Sequence, residues 1–238
     1  MIVAGTSAQG VARPSQAHVA YTRLRRDIIR CRLLPGQEVT EAQLAEHYNV
    51  GKTPIREGLA RLAHERLVRP LPRIGYRVTP ITLNDTKELL VFRRIVESEA
   101  ARLAAGHCHL AQLRRLDELC ELPHDPKDAR SVERLLRANV EFHAAVAAAS
   151  GNAKLTAAVV QVLDEIARVL YLAVQLNGAG IELSHRHERL LKTLADGDGD
   201  AAAKVVTEQV RRLERLFIQT ALNSPQVAVV NLAATAAT

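Results

Sequence analysis

The sequence predicts a mainly α-helical protein in two parts, on three observations. Leu, Val, Ile and Ala recur at the three- and four-residue spacing of amphipathic helices through most of the 238 residues. Only two short runs have the composition of strands, and both lie within residues 67–78. The net positive charge is confined to the first third of the chain, which indicates an N-terminal part with a partner of its own.

The charge is divided unevenly along the chain. The net charge is +6, from 32 Lys and Arg against 26 Asp and Glu. Residues 1–80 carry 13 basic and 6 acidic residues, so 19 and 20 remain for the rest of the chain. A basic part joined to a near-neutral part is typical of a protein that binds nucleic acid. Aromatic residues make up only 3% of the chain, which argues against a protein that stacks single-stranded bases.

Three cysteines without a CxxC pair argue against a disulfide scaffold and against a thiolate zinc site, and we expect a protein of the reducing cytoplasm. No run reaches the roughly 18 apolar residues of a membrane helix. Residues 1–17 lack the apolar stretch of a signal peptide and are expected to be flexible. The uncharged tail, residues 223–238, is expected to be flexible as well.

The first part is predicted to span residues 18–80. A helix is expected over 18–32, because apolar residues share one face and Pro35-Gly36 follows. Thr40 and Gln43 have the spacing of a capping box, which predicts that a short second helix begins there.

A tight turn at 49–51 precedes a third predicted helix. Thr53 is expected to cap this helix, with Pro54 at its first position. Strand-like runs at 67–69 and 76–78, with a Pro- and Gly-containing loop between them, predict a β-hairpin. Helix, short helix, turn, Pro-started helix and hairpin together predict a winged helix-turn-helix, a fold that reads double-stranded DNA.

Six residues are candidates for DNA contact because they lie at the start of the third helix, on its exposed face or at the tip of the hairpin wing. A recognition helix enters the major groove by its N-terminal end, where Arg can form two hydrogen bonds with guanine. The alternatives are that Arg56 is only solvated, that Arg61 pairs with Glu57, and that Thr53 serves as a cap as well as a phosphate ligand. The candidates are Lys52, Thr53, Arg56, Arg61, Arg73 and Gly75.

Residues 44–59, LAEHYNVGKTPIREGL, resemble the GntR family of bacterial transcription regulators, whose pattern reads roughly LA..lgVSRTPVREAL. The wing at 67–78 also matches. Gly51, Lys52 and Gly58 stand where the family usually has Ser, Arg and Ala. Lys52 keeps the charge without the planar fork of Arg, so we expect a weaker base reader or a phosphate contact.

The second part, residues 81–222, is predicted to be an all-α bundle of about six helices. They are expected over 83–106, 109–121, 131–150, 152–177, 182–196 and 199–222. Residues 91–105, Phe142-His143 and the segment from His187 to Asp198 resemble the FCD ligand-binding domain of the FadR subfamily. The resemblance implies a domain that binds an effector and forms the dimer.

Many FCD domains hold a divalent metal through one Asp and three His. The resemblance places these ligands at Asn139, His143, His187 and Gln209, so two of the four are amides here. His185 could substitute for a ligand only where the backbone is irregular. Three hypotheses remain open. In the first, His143 and His187 bind zinc, nickel or manganese, with Asn139 and Gln209 as weak oxygen ligands or as partners of the histidines. In the second, the amides and histidines line a metal-free pocket and hydrogen-bond an organic effector. In the third, the histidines are core residues without a ligand.

Arg93 matches the inward-facing Arg of the family's first sensor helix. Such a guanidinium can clamp a carboxylate, which implies an organic-acid effector, and pairing with Glu97 four residues later is the alternative. Asn152 is expected to cap a helix rather than to bind the effector. The candidate effector site therefore consists of Arg93, Asn139, His143, His187 and Gln209.

Together these features predict a transcription regulator that binds a pseudo-palindromic DNA operator as a homodimer, with repression and activation both open. An enzyme is disfavoured because the sequence contains no HExxH, no glycine-rich phosphate loop and no nucleophile motif. A purely structural interaction protein would not need a basic, Pro-started recognition helix.

Overall fold

The computed structural model describes residues 14–122, 125, 128–177 and 187–223. These divide into two compact units. The first contains the chain up to Ile28 together with Gly36–Thr79, and the second contains Ile29–Pro35 and the chain from Pro80 onward. The expected flexible ends fall largely on 1–13 and 224–238, which lie outside the described residues, as do His185 and the start of the helix predicted over 182–196.

The first unit confirms the winged helix-turn-helix. Its elements are α1 (Gln16–Ile29), β1 (Glu38–Val39), α2 (Glu41–Tyr48), α3 (Lys52–His64), β2 (Val68–Leu71) and β3 (Gly75–Val78). The three helices enclose a core of fully buried aliphatic side chains that includes Leu24, Ile28, Ile55, Leu59 and Leu62. Burial of these side chains on one face of each helix is what the apolar spacing predicts.

The sheet has three antiparallel strands in the order β1-β3-β2, one more than the sequence indicated. The hairpin pairs Val68 with Val78 and Leu71 with Gly75. The additional strand pairs Val39 with Tyr76. A two-residue strand is too short to show an alternating pattern, so only its partner in the folded chain reveals it.

The two predicted helix starts in the first unit have different outcomes. The capping box is confirmed, because the backbone N–H of Gln43 donates to Thr40 Oγ1 at 3.2 Å and the backbone N–H of Thr40 donates to Gln43 Oε1 at 2.9 Å. The prediction that Thr53 caps α3 is wrong. Gly51 is the capping residue, with φ −62° and ψ 156°, so Pro54 is the third helical residue. Proline is accepted there because the first N–H groups of a helix have no partner within it.

The second unit contains six described helices, as predicted. They are α4 (Leu83–Ala104), α5 (Leu110–Glu121), α6 (Ala129–Ala149), α7 (Ala153–Asn177), α8 (Glu188–Ala195) and α9 (Gly199–Asn223). Helix α4 packs against α6, α7 and α9. Asn152 caps α7 as expected, since Oδ1 accepts from Lys154 N–H at 3.0 Å. None of the described helices is long and apolar enough to cross a membrane.

Gly75 is required where the wing meets β1. Its φ is +143°, and a Cβ atom there would lie 2.4 Å from the carbonyl oxygen of Val39. Gly36 also has a positive φ, +82°, but has open space around the corresponding position.

We expect Gly36→Ala to lose about 1–2 kcal/mol of unfolding free energy through backbone strain alone. Gly75→Ala should lose more, because the wing strand must also move away from β1.

Urea unfolding followed by circular dichroism measures this difference. Equal losses for the two variants would show that the contact with Val39 does not limit residue 75.

Candidate DNA-reading surface and effector site

The start of α3 and the tip of the wing border one open groove in the first unit. Lys52, Arg56, Arg73 and Gly75 all line it, together with the exposed side chain of Ile74. Thr53, the next residue after Lys52, is exposed at the same end of α3. The structure therefore brings five of the six candidate DNA-contacting residues to one end of the helix-and-wing surface. Exposed cations beside a helix N-terminus favour binding of phosphate oxygens.

Arg56 is held by a carboxylate rather than only solvated. Its Nε donates to Glu41 Oε1 at 2.9 Å and its Nη2 donates to Glu41 Oε2 at 2.7 Å, which is the two-pronged geometry of an Arg–carboxylate pair. The hydrogen bond from Arg56 lowers the pKa of Glu41. The Arg56 side chain remains 65% exposed, so the pair orients the guanidinium on α3 while leaving much of it accessible from the groove.

Arg61 has different surroundings. Its guanidinium carbon lies 3.8 Å from the centre of the Tyr21 ring on α1, a cation–π contact. The Tyr21 hydroxyl donates to Glu65 Oε1 at 2.5 Å, and Arg25 Nε donates to Glu65 Oε2 at 2.9 Å. The structure thus directs Arg61 toward α1, where it helps to join α1 and α3, and not toward the groove.

In the second unit, Glu97 lies between two candidate effector residues. Its Oε2 accepts from Arg93 Nε at 2.6 Å, and its Oε1 lies 2.5 Å from His143 Nδ1. All three side chains are buried. Burial alone would raise the pKa of Glu97, but the charge of Arg93 and the contact with His143 outweigh it and hold the pKa well below its usual range. The ion pair of Arg93 with Glu97, which the four-residue spacing allows, is therefore formed through Nε.

His187 is fixed by a second carboxylate. It precedes α8, and both its backbone N–H and its ring Nδ1 contact Asp117 Oδ1 on α5, at 3.1 and 2.7 Å. Burial lowers the pKa of His187, although the hydrogen bond to Asp117 opposes this effect. The ring stacks on Phe142 with centroids 4.0 Å apart and lies edge-on to His143 at 4.9 Å. The two histidines implied by the resemblance are thus neighbours in the fold.

Three buried acceptor atoms at the implied ligand positions have no hydrogen-bond partner within the described residues: Asn139 Oδ1, His187 Nε2 and Gln209 Oε1. Asn139 lies one helical turn before His143 on α6. Gln209 shares a face of α9 with Val206 and Leu213, which belong to the same core cluster as Phe142. An unpaired buried polar group costs about 1–3 kcal/mol, so these three positions stay candidates for contact with a ligand.

These residues fit a divalent metal poorly. Each histidine is held at Nδ1 by a carboxylate, which leaves Nε2 as the atom that would bind a metal. The other two positions offer neutral amide oxygens, whereas zinc prefers thiolate, imidazole or carboxylate ligands. Within the described ranges, no group of three or more His, Cys, Asp or Glu side chains is placed to hold a metal ion. Zinc, nickel or manganese at His143 and His187 remains a prediction.

Sequence reasoning did not find Asp117 or the link between Glu97 and His143. Asp117 lies on the buried face of α5 with Leu113 and Cys120, at positions i, i+4 and i+7. An acidic residue inside an apolar stripe was the available signal, because a buried carboxylate needs a partner. The pairing of Glu97 with His143 had no comparable signal, since the two residues lie on different helices.

Models of two protein families match the chain. The model described as bacterial regulatory proteins, gntR family, matches residues 16–78. The model of the FCD domain matches residues 88–212. The two matched ranges correspond to the helix-and-wing unit and to the helical bundle, and together they contain every candidate site residue.

Relatives and a solved structure agree with these matches. The chain is 22% identical over 193 residues to the HTH-type transcriptional repressor RspR of Escherichia coli K12, covering 81% of this chain and 85% of that protein. It is 26% identical over 179 residues to the Nta operon transcriptional regulator of Aminobacter aminovorans, covering 75% and 83%. The fold is similar to that of E. coli McbR/YncC, with a TM-score of 0.75 and 21% identity over 87% of this chain and 99% of that one.

The buried contacts of Glu97 should matter for stability. Glu97→Gln removes the charge that faces Arg93 and His143, and breaking a buried ion pair typically costs about 3–5 kcal/mol. Glu99→Gln on the same helix is the matched control, because Glu99 and its partner Arg102 are 50% and 45% exposed. The control should change the unfolding free energy by less than about 1 kcal/mol.

Urea unfolding of both variants at neutral pH checks this expectation. Similar small losses would show that the Glu97 carboxylate is not essential to the folded bundle.

Proposed function

We propose that this chain binds a pseudo-palindromic operator as a homodimer, on the basis of its family. The chain belongs to the gntR family of bacterial regulatory proteins and carries an FCD domain. It is thus a DNA-binding transcription regulator and not an enzyme. We further propose that a small metabolite in the helical unit changes the affinity for that operator. The single observation that best supports DNA reading is the groove in which Lys52, Arg56 and Arg73 meet. The target of such a regulator is chromosomal DNA, so we expect the protein in the cytoplasm.

In the proposed DNA complex, the N-terminal end of α3 enters the major groove and the wing tip follows the neighbouring backbone. Arg56 is the proposed base reader, and Glu41 is a positioning residue that fixes the plane of its guanidinium before DNA arrives. Lys52 and Arg73 supply phosphate contacts, so affinity should fall steeply with salt concentration. Arg61 contributes less, because its guanidinium stacks on Tyr21.

The outer face of α4 supports the proposed homodimer. Val91, Phe92 and Ile95 lie on one side of this helix and are exposed, Ile95 by 61%. The buried residues of α4, among them Leu90 and Ala100, face the rest of the bundle. A contiguous apolar face on a soluble helix marks an interaction surface. A second copy is the occupant we propose, since a two-fold operator is matched by a two-fold dimer.

Effector control follows from a coupling between two sites. The wing strand β3 ends at Val78 and α4 begins at Leu83, so only four residues connect the DNA-reading unit to the first helix of the bundle. If an effector changes operator affinity, then operator DNA must change effector affinity by the same factor. An organic-acid effector is expected because the guanidinium of Arg93 could clamp its carboxylate. In the structure, Nε of Arg93 already donates to Glu97.

The first prediction concerns base reading by Arg56. DNA selected from a random library by the wild-type protein provides the operator. Arg56→Ala should weaken binding to it by about 1–3 kcal/mol and relax base preference, because a two-pronged contact with a base is lost. Arg115→Ala, the same charge change at an exposed position of α5, should leave affinity nearly unchanged.

Fluorescence anisotropy at several salt concentrations measures both affinity and its salt dependence. If Arg56→Ala and Arg115→Ala bind alike, Arg56 is not a DNA-contacting residue.

The second prediction concerns the dimer. Ile95→Asp should convert the dimer to a monomer, because the new charge would be buried without a partner in the apolar interface. Leu119→Asp is the control, since Leu119 is an exposed apolar residue on α5 rather than on α4. Light scattering coupled to gel filtration reports the mass of each variant, and a dimeric Ile95→Asp protein would place the interface elsewhere.

A further inference from the structure

The buried acceptor atoms at the effector positions indicate the chemistry of the ligand. Asn139 Oδ1, His187 Nε2 and Gln209 Oε1 have no partner among the described residues. His187 is 0% exposed, so its Nε2 does not reach bulk water either. Native proteins rarely leave buried polar atoms unpaired, and a bound molecule that pairs with all three would resolve them together.

All three atoms can only accept hydrogen bonds. Amide oxygens have no hydrogen to donate. His187 Nδ1 lies 2.7 Å from a carboxylate oxygen of Asp117, and a carboxylate only accepts, so the ring proton is on Nδ1 and the lone pair is on Nε2. The ligand must therefore supply donors.

An anionic ligand is disfavoured by the charges around these atoms. Arg93, the cation expected to clamp a carboxylate, donates through Nε to Glu97 at 2.6 Å. The carboxylates of Glu97 and Asp117 contact Nδ1 of His143 and His187, so negative charge lies close to both imidazole rings. A carboxylate on the ligand could not pair with His187 Nε2, and Asn139 and Gln209 could offer it only neutral amide N–H groups, after their amides turn over. A cationic ligand would contact only neutral atoms directly, since Glu97 and Asp117 lie beyond the imidazole rings, and a buried charge needs a charged partner in contact.

We propose that the FCD domain of this protein binds, without a metal, a small uncharged polyhydroxylated molecule of the alditol or aldose class, whose hydroxyl groups donate to Asn139 Oδ1, His187 Nε2 and Gln209 Oε1. The proposal rests on the proposed function of the helical unit as an effector-binding domain. It departs from the metal-bound organic acid that the resemblance implies, because the two amides remove the anionic and basic ligands that such a complex requires.

The first test is a thermal-shift screen of the full chain in EDTA. The probes are alditols and aldoses of four to six carbons, each paired with the aldonate of the same carbon skeleton and, for six carbons, with glucamine. At least one neutral compound should raise the melting temperature by several degrees, and its aldonate should not. The proposal is overturned if none of the neutral compounds stabilises the protein, or if the aldonate or the amine is the better ligand.

The second test uses Asn139→Leu and Gln209→Leu, each assayed with the neutral compound that gives the largest shift. Removing an unpaired acceptor should leave the melting temperature of the unliganded protein unchanged or higher, while the shift caused by the ligand is lost. Gln161→Leu, at an exposed position of α7, is the control and should keep the full shift. Variants that melt earlier but keep the shift would assign the amides a merely structural role.

The third test separates the proposal from the metal hypothesis. Wild-type protein should contain no stoichiometric metal by elemental analysis, whereas the double variant Asn139→Asp/Gln209→His should gain stabilisation by zinc, nickel or manganese. Stoichiometric metal in the wild-type protein, with loss of the ligand response in EDTA, would overturn the proposal. DNA binding is measured on the same samples, so a failed ligand screen with intact DNA binding leaves the regulator function standing.

Discussion

The helical unit is organised around the buried carboxylate of Glu97. This side chain is 2% exposed and contacts Arg93 on its own helix and His143 on α6. A buried charge is stable only when opposite charge and hydrogen bonds replace the water that it has lost. Glu97 therefore fixes the positions of both partners. Since His143 lies edge-on to His187, which Asp117 holds in turn, the order extends from α4 and α6 to α5 and the start of α8.

The DNA-reading unit uses charge in the opposite way. Its cations are exposed at the start of α3 and on the wing, where water weakens their attraction to nearby carboxylates. Phosphate oxygens of DNA can therefore compete for them. The pair between Arg56 and Glu41 costs little to rearrange but fixes a plane for the guanidinium. Rigidity comes instead from the apolar core around Ile55 and Leu59 and from the close contact of Gly75 with Val39.

The amides at Asn139 and Gln209 distinguish the proposed effector site of this protein from the metal site of the domains that it resembles. Replacing a carboxylate and an imidazole by amides removes a negative charge and a metal ligand while keeping side chains of similar length. The carboxylates that remain, Glu97 and Asp117, are committed to His143 and His187. The uncharged groups that remain at these positions are the two amides and His187 Nε2. In the proposed complex they would discriminate ligands by their donors, because a group that cannot donate leaves the buried acceptors unpaired.

The sequence by itself determined the helices, the wing and the basic surface of this protein. Apolar spacing and the Thr40 capping box act within a few residues, so these features can be read locally. The strand β1 depends instead on its pairing with β3. Only the tertiary structure decided which charges meet. Glu41 and Arg56 are 15 residues apart, and Asp117 and His187 are 70 apart. The sequence places such residues on helix faces, but ion pairs form across elements, where the packing of the whole core determines which faces touch.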